Sequence, residues 1–197
     1  MDGSIRTENS AHPILYGQKP LYARLSLVDT VYTSSYYFCI RQMIVMQALL
    51  ETWQISHRMN EFLLSGIKEE YLIDVGISKG RSVGEHFAHI HNVRLMWAKV
   101  AAADLFEPLT KIDTAKPVTK KVLLDAFEQS TGAIAEILRR GFQTGKIKGF
   151  KPHPEAFLGY IIAHEAHHRG QIVIALKENK HMPDKKILYG MWEWGVR

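Results

Sequence analysis

The sequence predicts an all-α protein built as a four-helix bundle, and three observations lead to that prediction. After residue 45, apolar residues recur at steps of three and four along four long segments. Glycine and proline lie between those segments, where helices begin and end. Alternating apolar and polar runs bounded by turns, which are typical of strands, are nearly absent there. Four antiparallel helices around one core are therefore the simplest architecture.

The first helix is predicted over residues 46–73, and Gly76 and Gly80 end it. Residues 1–44 lack its periodicity, and a helical pattern begins only at about Met43–Met46. We therefore interpret 1–44 as an atypical N-terminal extension outside a domain of residues 45–197. Because a chain can start at either methionine, an upstream misassigned start is one hypothesis, which N-terminal sequencing of the native protein tests.

The other three helices have recognisable ends. The second is predicted from Ser82 to about 104, because Ser82 and Glu85 have the spacing of a capping box. The third covers about 119–140 and is expected to stop at Gly141. The fourth covers 154–179, since Pro154 suits the first helical position. The aromatic tail at 189–195 is expected to pack across the bundle, because two tryptophans rarely stay exposed.

Bulk properties narrow the function classes. The 197 residues are enough for one domain with a core, and the net charge of +5 is modest. The basic stretch at 139–151 is interpreted as a solvated loop, which argues against nucleic-acid binding. The single cysteine, Cys39, fits a reducing compartment. No apolar run reaches the roughly 18 residues of a membrane span, and no secretory signal is visible, so a cytoplasmic location is expected.

Histidine is the unusual residue. There are ten, and six fall in two windows about 75 residues apart, namely His86, His89 and His91, and His164, His167 and His168. On the fourth helix His164 and His168 share a core-facing stripe with steps of three and four. On the second helix the corresponding stripe consists of Ser82, His86, His89, Val93, Met96 and Val100. His91 and His167 fall off these stripes and are predicted at helix flanks or in solvent.

Three inward histidines favour a metal site. Residues at i and i+4 lie one above the other on a helix, close enough to bind one ion, and neutral imidazole is the commonest metal ligand. Three nitrogens leave a coordination position for water or substrate, as in catalytic sites. The spacing leaves either His86 or His89 as the third ligand. The alternative without metal is hydrogen bonding among core polar groups.

His164-Glu165-Ala166-His167-His168 also spells the H-E-x-x-H signature of zinc proteases. The extended form of that signature requires glycine at 171 and histidine at 174, where this chain has Gln171 and Ile174. No sheet is predicted to hold a peptide substrate. Glu165 lies one residue off the stripe, so an orienting residue or a surface charge is as good an interpretation of it as a general base. These departures argue against a protease.

The two segments 88–94 (Ala-His-Ile-His-Asn-Val-Arg) and 164–171 (His-Glu-Ala-His-His-Arg-Gly-Gln) together resemble the DinB/YfiT-like family of metalloenzymes. The resemblance covers residues 46–197. It implies a four-helix bundle, often dimeric, in which His89, His164 and His168 bind a divalent ion such as zinc, nickel or iron. Activities in the family include thiol-dependent transfer or isomerisation with a low-molecular-weight thiol, and hydrolysis.

The functional prediction is thus a metal-dependent enzyme of the thiol-transferase or hydrolase type. It acts on a small-molecule substrate, as a homodimer, and binds neither nucleic acid nor membrane. A non-catalytic bundle that senses or stores a metal or ligand is the alternative. A vacant position above the metal favours an enzyme, whereas a closed fourth ligand favours a sensor.

Overall fold

The structure, a computed structural model, describes residues 27–196, with side chains from residue 36 onward. The helices are α1 (Leu27–Ser65), α2 (Val83–Ala101), α3 (Ala103–Phe106), α4 (Lys120–Thr144), α5 (Pro154–Glu178) and α6 (Lys185–Gly190). Two 3-10 turns cover Glu69–Ile73 and Trp194–Val196. Residues 27–196 contain no β-strand, only two isolated bridges. The predicted all-α class, with four long helices, is confirmed.

The chain divides into two compact units, residues 1–41 and 42–197, and the packing described below concerns the second. The assignment of residues 1–44 to an N-terminal extension outside the domain stays a prediction, and residues 1–26 lie outside the described part. The prediction that helix begins only at about Met43–Met46 is wrong. No glycine or proline interrupts residues 27–65, so the helix persists. Tyr36, Tyr37 and Phe38 are exposed. The sequence therefore shows no core-facing periodicity in this part of the helix.

The first helix also ends earlier than predicted, at Ser65. Gly66 follows it, and a Cβ there would lie 2.5 Å from the side chain of Ile187. The chain can therefore pass this close to α6 only without a side chain at this position. The apolar residues predicted to prolong the helix continue instead in the 3-10 turn at Glu69–Ile73.

The starts of the remaining long helices match the predictions, but two ends differ: α2 ends at Ala101, before the predicted 104, and α4 continues past Gly141. The capping box is present: the Glu85 amide donates to Ser82 Oγ at 3.2 Å, and the Ser82 amide donates to Glu85 Oε2 at 2.6 Å. Pro154 is the first residue of α5. The predicted stop at Gly141 is wrong, because α4 continues to Thr144 and ends on Gly145, which has a φ of 73°. Gly141 is buried, where a Cβ would lie 2.7 Å from Ile147.

The buried apolar residues form two clusters stacked along the bundle. One contains Leu63, Phe87, Phe127 and Ile172, among others, and the other contains Trp53, Ala98, Ile134 and Phe157, among others. Along the chain, α1 and α5 run from the second cluster to the first, whereas α2 and α4 both run from the first to the second. The four long helices thus run up, down, down and up. The prediction that all neighbours are antiparallel is wrong, because residues 102–119 cross over and make α4 parallel to α2.

The C-terminal tail packs less than predicted. Ile187 and Met191 lie against the core, but Trp192 is 80% exposed and Trp194 is 38% exposed. Ile187 on the short helix α6 and Met191, which follows that helix, therefore supply the core contacts instead of the two tryptophans. None of the described helices combines the length and the hydropathy of a membrane span.

Candidate metal centre

Three histidines from two helices converge at one point. His89 lies on α2, and His164 and His168 lie one turn apart on α5. Each offers a ring nitrogen, and the three nitrogens lie within 4.8 Å of one another. The ring centroids of His89 and His164 each lie 4.6 Å from that of His168. The structure therefore brings together the three residues that were predicted as ligands.

Their geometry suits a divalent ion. The Nε2 atoms of His164 and His168 are 3.2 Å apart. Two histidine nitrogens bound to one tetrahedral zinc, each at about 2.0–2.1 Å, are separated by about 3.3 Å. No fourth His, Cys, Asp or Glu joins the group within the described part of the chain.

The surroundings keep these imidazoles neutral. Burial, followed by the charges of the neighbouring histidines, lowers the pKa of His168 to about 3. Burial, followed by the charge of Arg81, lowers the pKa of His89 to about 4. Burial also lowers the pKa of His164. Neutral rings carry the lone pairs that a metal needs, so all three are ready to bind at pH 7.

The same shifts predict how the stability of the metal-free protein depends on pH. The unfolded histidines take up protons near pH 6.5, whereas the folded ones resist until pH 3–4. The unfolded state therefore binds more protons below pH 6.5, and the free energy of unfolding should fall as the pH drops. Urea denaturation with a chelator at pH 7.5 and 5.5 measures this. His168→Gln should flatten the dependence, and a wild type that is equally stable at both pH values would contradict the prediction.

Next to the converging histidines, Glu165 is fully buried in an ion pair with Arg94, which is fully buried too. Arg94 Nε donates to Oε1 at 2.7 Å and Arg94 Nη2 donates to Oε2 at 3.0 Å, a bidentate arrangement. Asn60 Nδ2 donates to Oε2 at 2.6 Å. The interpretation of Glu165 as a possible surface charge is therefore wrong. With its lone pairs engaged and no exposure to solvent, it cannot activate a water as the protease glutamate does.

The pair is the centre of a polar layer across the bundle. Arg94 Nη1 also lies 3.3 Å from Ser130 Oγ on α4 and 3.4 Å from His57 Nδ1 on α1. Arg169 Nη1 donates to Asn60 Oδ1 at 2.7 Å. In each long helix these residues fall between those of the two apolar clusters. The polar layer is defined here as His57, Asn60, Arg94, Ser130, Glu165 and Arg169.

Two further predictions about α2 need correction. His91 was expected at a flank or in solvent, but it is fully buried, with Nε2 3.0 Å from the Thr110 carbonyl oxygen. Met96 and Val100 were expected on the core stripe, but they are 48% and 41% exposed. The core side of α2 instead runs through Phe87, His91 and Arg94. His167 is exposed, as predicted.

An aromatic cluster borders the metal centre on the same two helices. The ring of Tyr160 stacks against that of His164 at 6.2 Å. Trp97, two turns beyond His89, meets Tyr160 and Phe157 edge to face. The sequence shows that these residues are aromatic and lie on predicted helices. Only the packing shows that they lie next to the histidines.

Comparison with known proteins agrees with this arrangement. The model of the DinB family matches residues 42–185, which is more than half of the chain. A search of curated proteins and a search of solved structures each gave no match. The matched region contains the four-helix bundle from residue 42 onward and all three converging histidines. The chain belongs to the DinB family.

Proposed function

We propose that this protein is a divalent-metal-dependent enzyme of the thiol-transferase or hydrolase type that acts on a small molecule. One observation carries the proposal: His89, His164 and His168 converge without a fourth His, Cys, Asp or Glu among the described residues. A closed structural site would need a fourth protein ligand. Zinc, nickel and iron all suit imidazole ligands, so each is a candidate ion.

The roles of the chain's residues follow from their positions. The three histidines bind through neutral ring nitrogens, and their lowered pKa values keep them available at pH 7. A divalent ion held there either lowers the pKa of bound water or binds a low-molecular-weight thiol as a thiolate. Tyr160 and Trp97 border the site and supply apolar surface for a substrate.

The polar layer argues against one form of hydrolysis. A zinc protease uses the glutamate of its motif as a general base, whereas Glu165 is held by Arg94 and Asn60. Thiol transfer would need no such base, because a bound divalent ion would supply the thiol as a thiolate, its proton passing to solvent. The sulfur would form a bond to an electrophilic carbon, and the leaving group would depart with its electron pair and take up a proton from solvent. We therefore place transfer ahead of hydrolysis.

An activity screen tests the proposal. The protein, loaded in turn with zinc, nickel or iron, is incubated with several low-molecular-weight thiols and an electrophilic acceptor, and ester and amide substrates are tested without thiol. We expect metal-dependent turnover that His89→Ala removes. Turnover that His89→Ala retains would overturn the assignment.

The second candidate is a non-catalytic bundle that senses or stores a metal or ligand. Glu165 favours this candidate. Its carboxylate is the nearest one in sequence to the proposed ligands, but its pairing with Arg94 makes it unavailable for proton transfer. Stoichiometric metal without turnover on any substrate would support it. A homodimer and a cytoplasmic location remain predictions from the sequence.

A further inference from the structure

A fourth histidine contacts the three-histidine cluster, on the side of His168 opposite His164. His86 lies on α2, one turn before His89, and its Nδ1 is 3.1 Å from Nδ1 of His168. The other nitrogen of His168, Nε2, faces Nε2 of His164 at 3.2 Å. Both nitrogens of the His168 ring are therefore engaged, one by His86 and one by the cluster.

This arrangement selects a tautomer for His168. An imidazole that binds an ion through Nε2 carries its proton on Nδ1, and metal-bound histidines nearly always donate that proton to a neighbouring acceptor. Nδ1 of His86 lies at hydrogen-bonding distance from it, and in the Nε2–H tautomer of His86 this nitrogen carries a lone pair that accepts the proton. Because the two nitrogens of a ring point away from each other, His86 lies on the side of His168 that faces away from His164. It is thus placed as a hydrogen-bond acceptor and not as a ligand.

We propose that His86 is a positioning residue of the metal centre: it accepts the Nδ1–H hydrogen bond of His168 and so directs the Nε2 lone pair of that ring to the ion. This inference rests on the proposed function, since it requires that the three histidines bind a metal. His86 also shares α2 with His89, so one helix supplies both a ligand and the support for a ligand on α5.

Two substitutions of His86 separate hydrogen bonding from packing. His86→Phe keeps a planar ring and removes the acceptor, whereas His86→Asn places an amide oxygen near the position of Nδ1. Zinc affinity, measured by competition with a chromophoric chelator, should fall about 10–100-fold in His86→Phe. It should stay within a few-fold of wild type in His86→Asn. His167→Phe is the matched control, because His167 is exposed beside His168, and it should bind zinc like the wild type.

Ring ¹⁵N chemical shifts of the metal-free protein give a readout independent of activity. In the wild type, His168 should be the Nδ1–H tautomer, and in His86→Phe it should become a mixture. Circular dichroism first confirms that each variant is folded. A variant that has lost its helical signal is replaced by His86→Leu, to which the same criteria apply.

The outcomes distinguish the inference from the function on which it rests. If the wild type binds no zinc, nickel or iron, the proposed function fails and the inference fails with it. If the wild type binds zinc and His86→Phe binds equally well, only the inference fails. It also fails if His86→Asn binds as weakly as His86→Phe, or if His86→Phe is as defective as His168→Ala, which would make His86 a direct ligand.

Discussion

Replacing Glu165 by alanine should lower the free energy of unfolding of the metal-free protein by about 3–5 kcal/mol. The substitution leaves the guanidinium of Arg94 fully buried without its carboxylate. Ser130 and His57, the other polar groups beside it, lie at 3.3 and 3.4 Å and carry no negative charge to replace it. Most of the expected loss is thus the cost of an unpaired buried charge and not the net worth of the pair.

Urea denaturation in the presence of a chelator measures this effect without interference from metal binding. Glu136→Ala is the matched control, since Glu136 also pairs with arginines, Arg139 and Arg140, but at a partly exposed site on α4. Its loss should not exceed about 1 kcal/mol. The double variant Arg94→Met/Glu165→Met should be more stable than Glu165→Ala, because no charge is left unpaired. A loss below about 1 kcal/mol for Glu165→Ala would show that water reaches the pair.

The second large effect concerns the metal ligands. Zinc at a concentration of 100 times its dissociation constant should stabilise the wild type by about 2.7 kcal/mol. For a chain of this length, that corresponds to a rise in Tm of about 5–10 °C. His164→Ala and His168→Ala should abolish the rise, because two imidazoles cannot replace three at the same concentration of zinc. The loss of affinity should exceed the roughly 10–100-fold of an outer hydrogen-bond partner.

Thermal unfolding followed by circular dichroism, with and without zinc, measures the rise in Tm of the wild type and of each variant. His153→Asn is the control: His153 is exposed and caps α5 by accepting the Ala156 amide at its Nδ1, and the side-chain oxygen of asparagine is a suitable replacement acceptor. Its rise in Tm with zinc should equal that of the wild type. A rise that persists in His168→Ala would place the zinc elsewhere, and no rise in the wild type would contradict metal binding altogether.

The parts of the fold that could be predicted from the sequence are those that depend only on residues close to each other along the chain. The starts of α2 and α5 were predictable because Ser82 with Glu85, and Pro154, satisfy helix ends by themselves. The grouping of His164 with His168 follows from helical spacing alone. His89 came from the resemblance, since spacing on α2 left His86 equally eligible.

The remaining features depend on contacts between distant parts of the chain. Arg94 and Glu165 are 71 residues apart, and an arginine and a glutamate on helices usually face water. The two charges can be buried only because they pair with each other inside the bundle. His91 is buried for a similar reason, because the carbonyl oxygen of Thr110 meets its ring. The parallel course of α2 and α4 depends on a crossover that no local pattern specifies.

The position of the polar layer has a consequence for how the protein can diversify. If α5 slid by one turn against α2, Glu165 would leave Arg94 and both charges would remain in apolar surroundings. The layer therefore locks the helices in register, and this register also sets the separation of His89 from His164 and His168. Tyr160, which stacks on His164, takes no part in that lock. Under the proposed function, substitutions around Tyr160 can therefore change substrate preference without disturbing the register that holds the three histidines together.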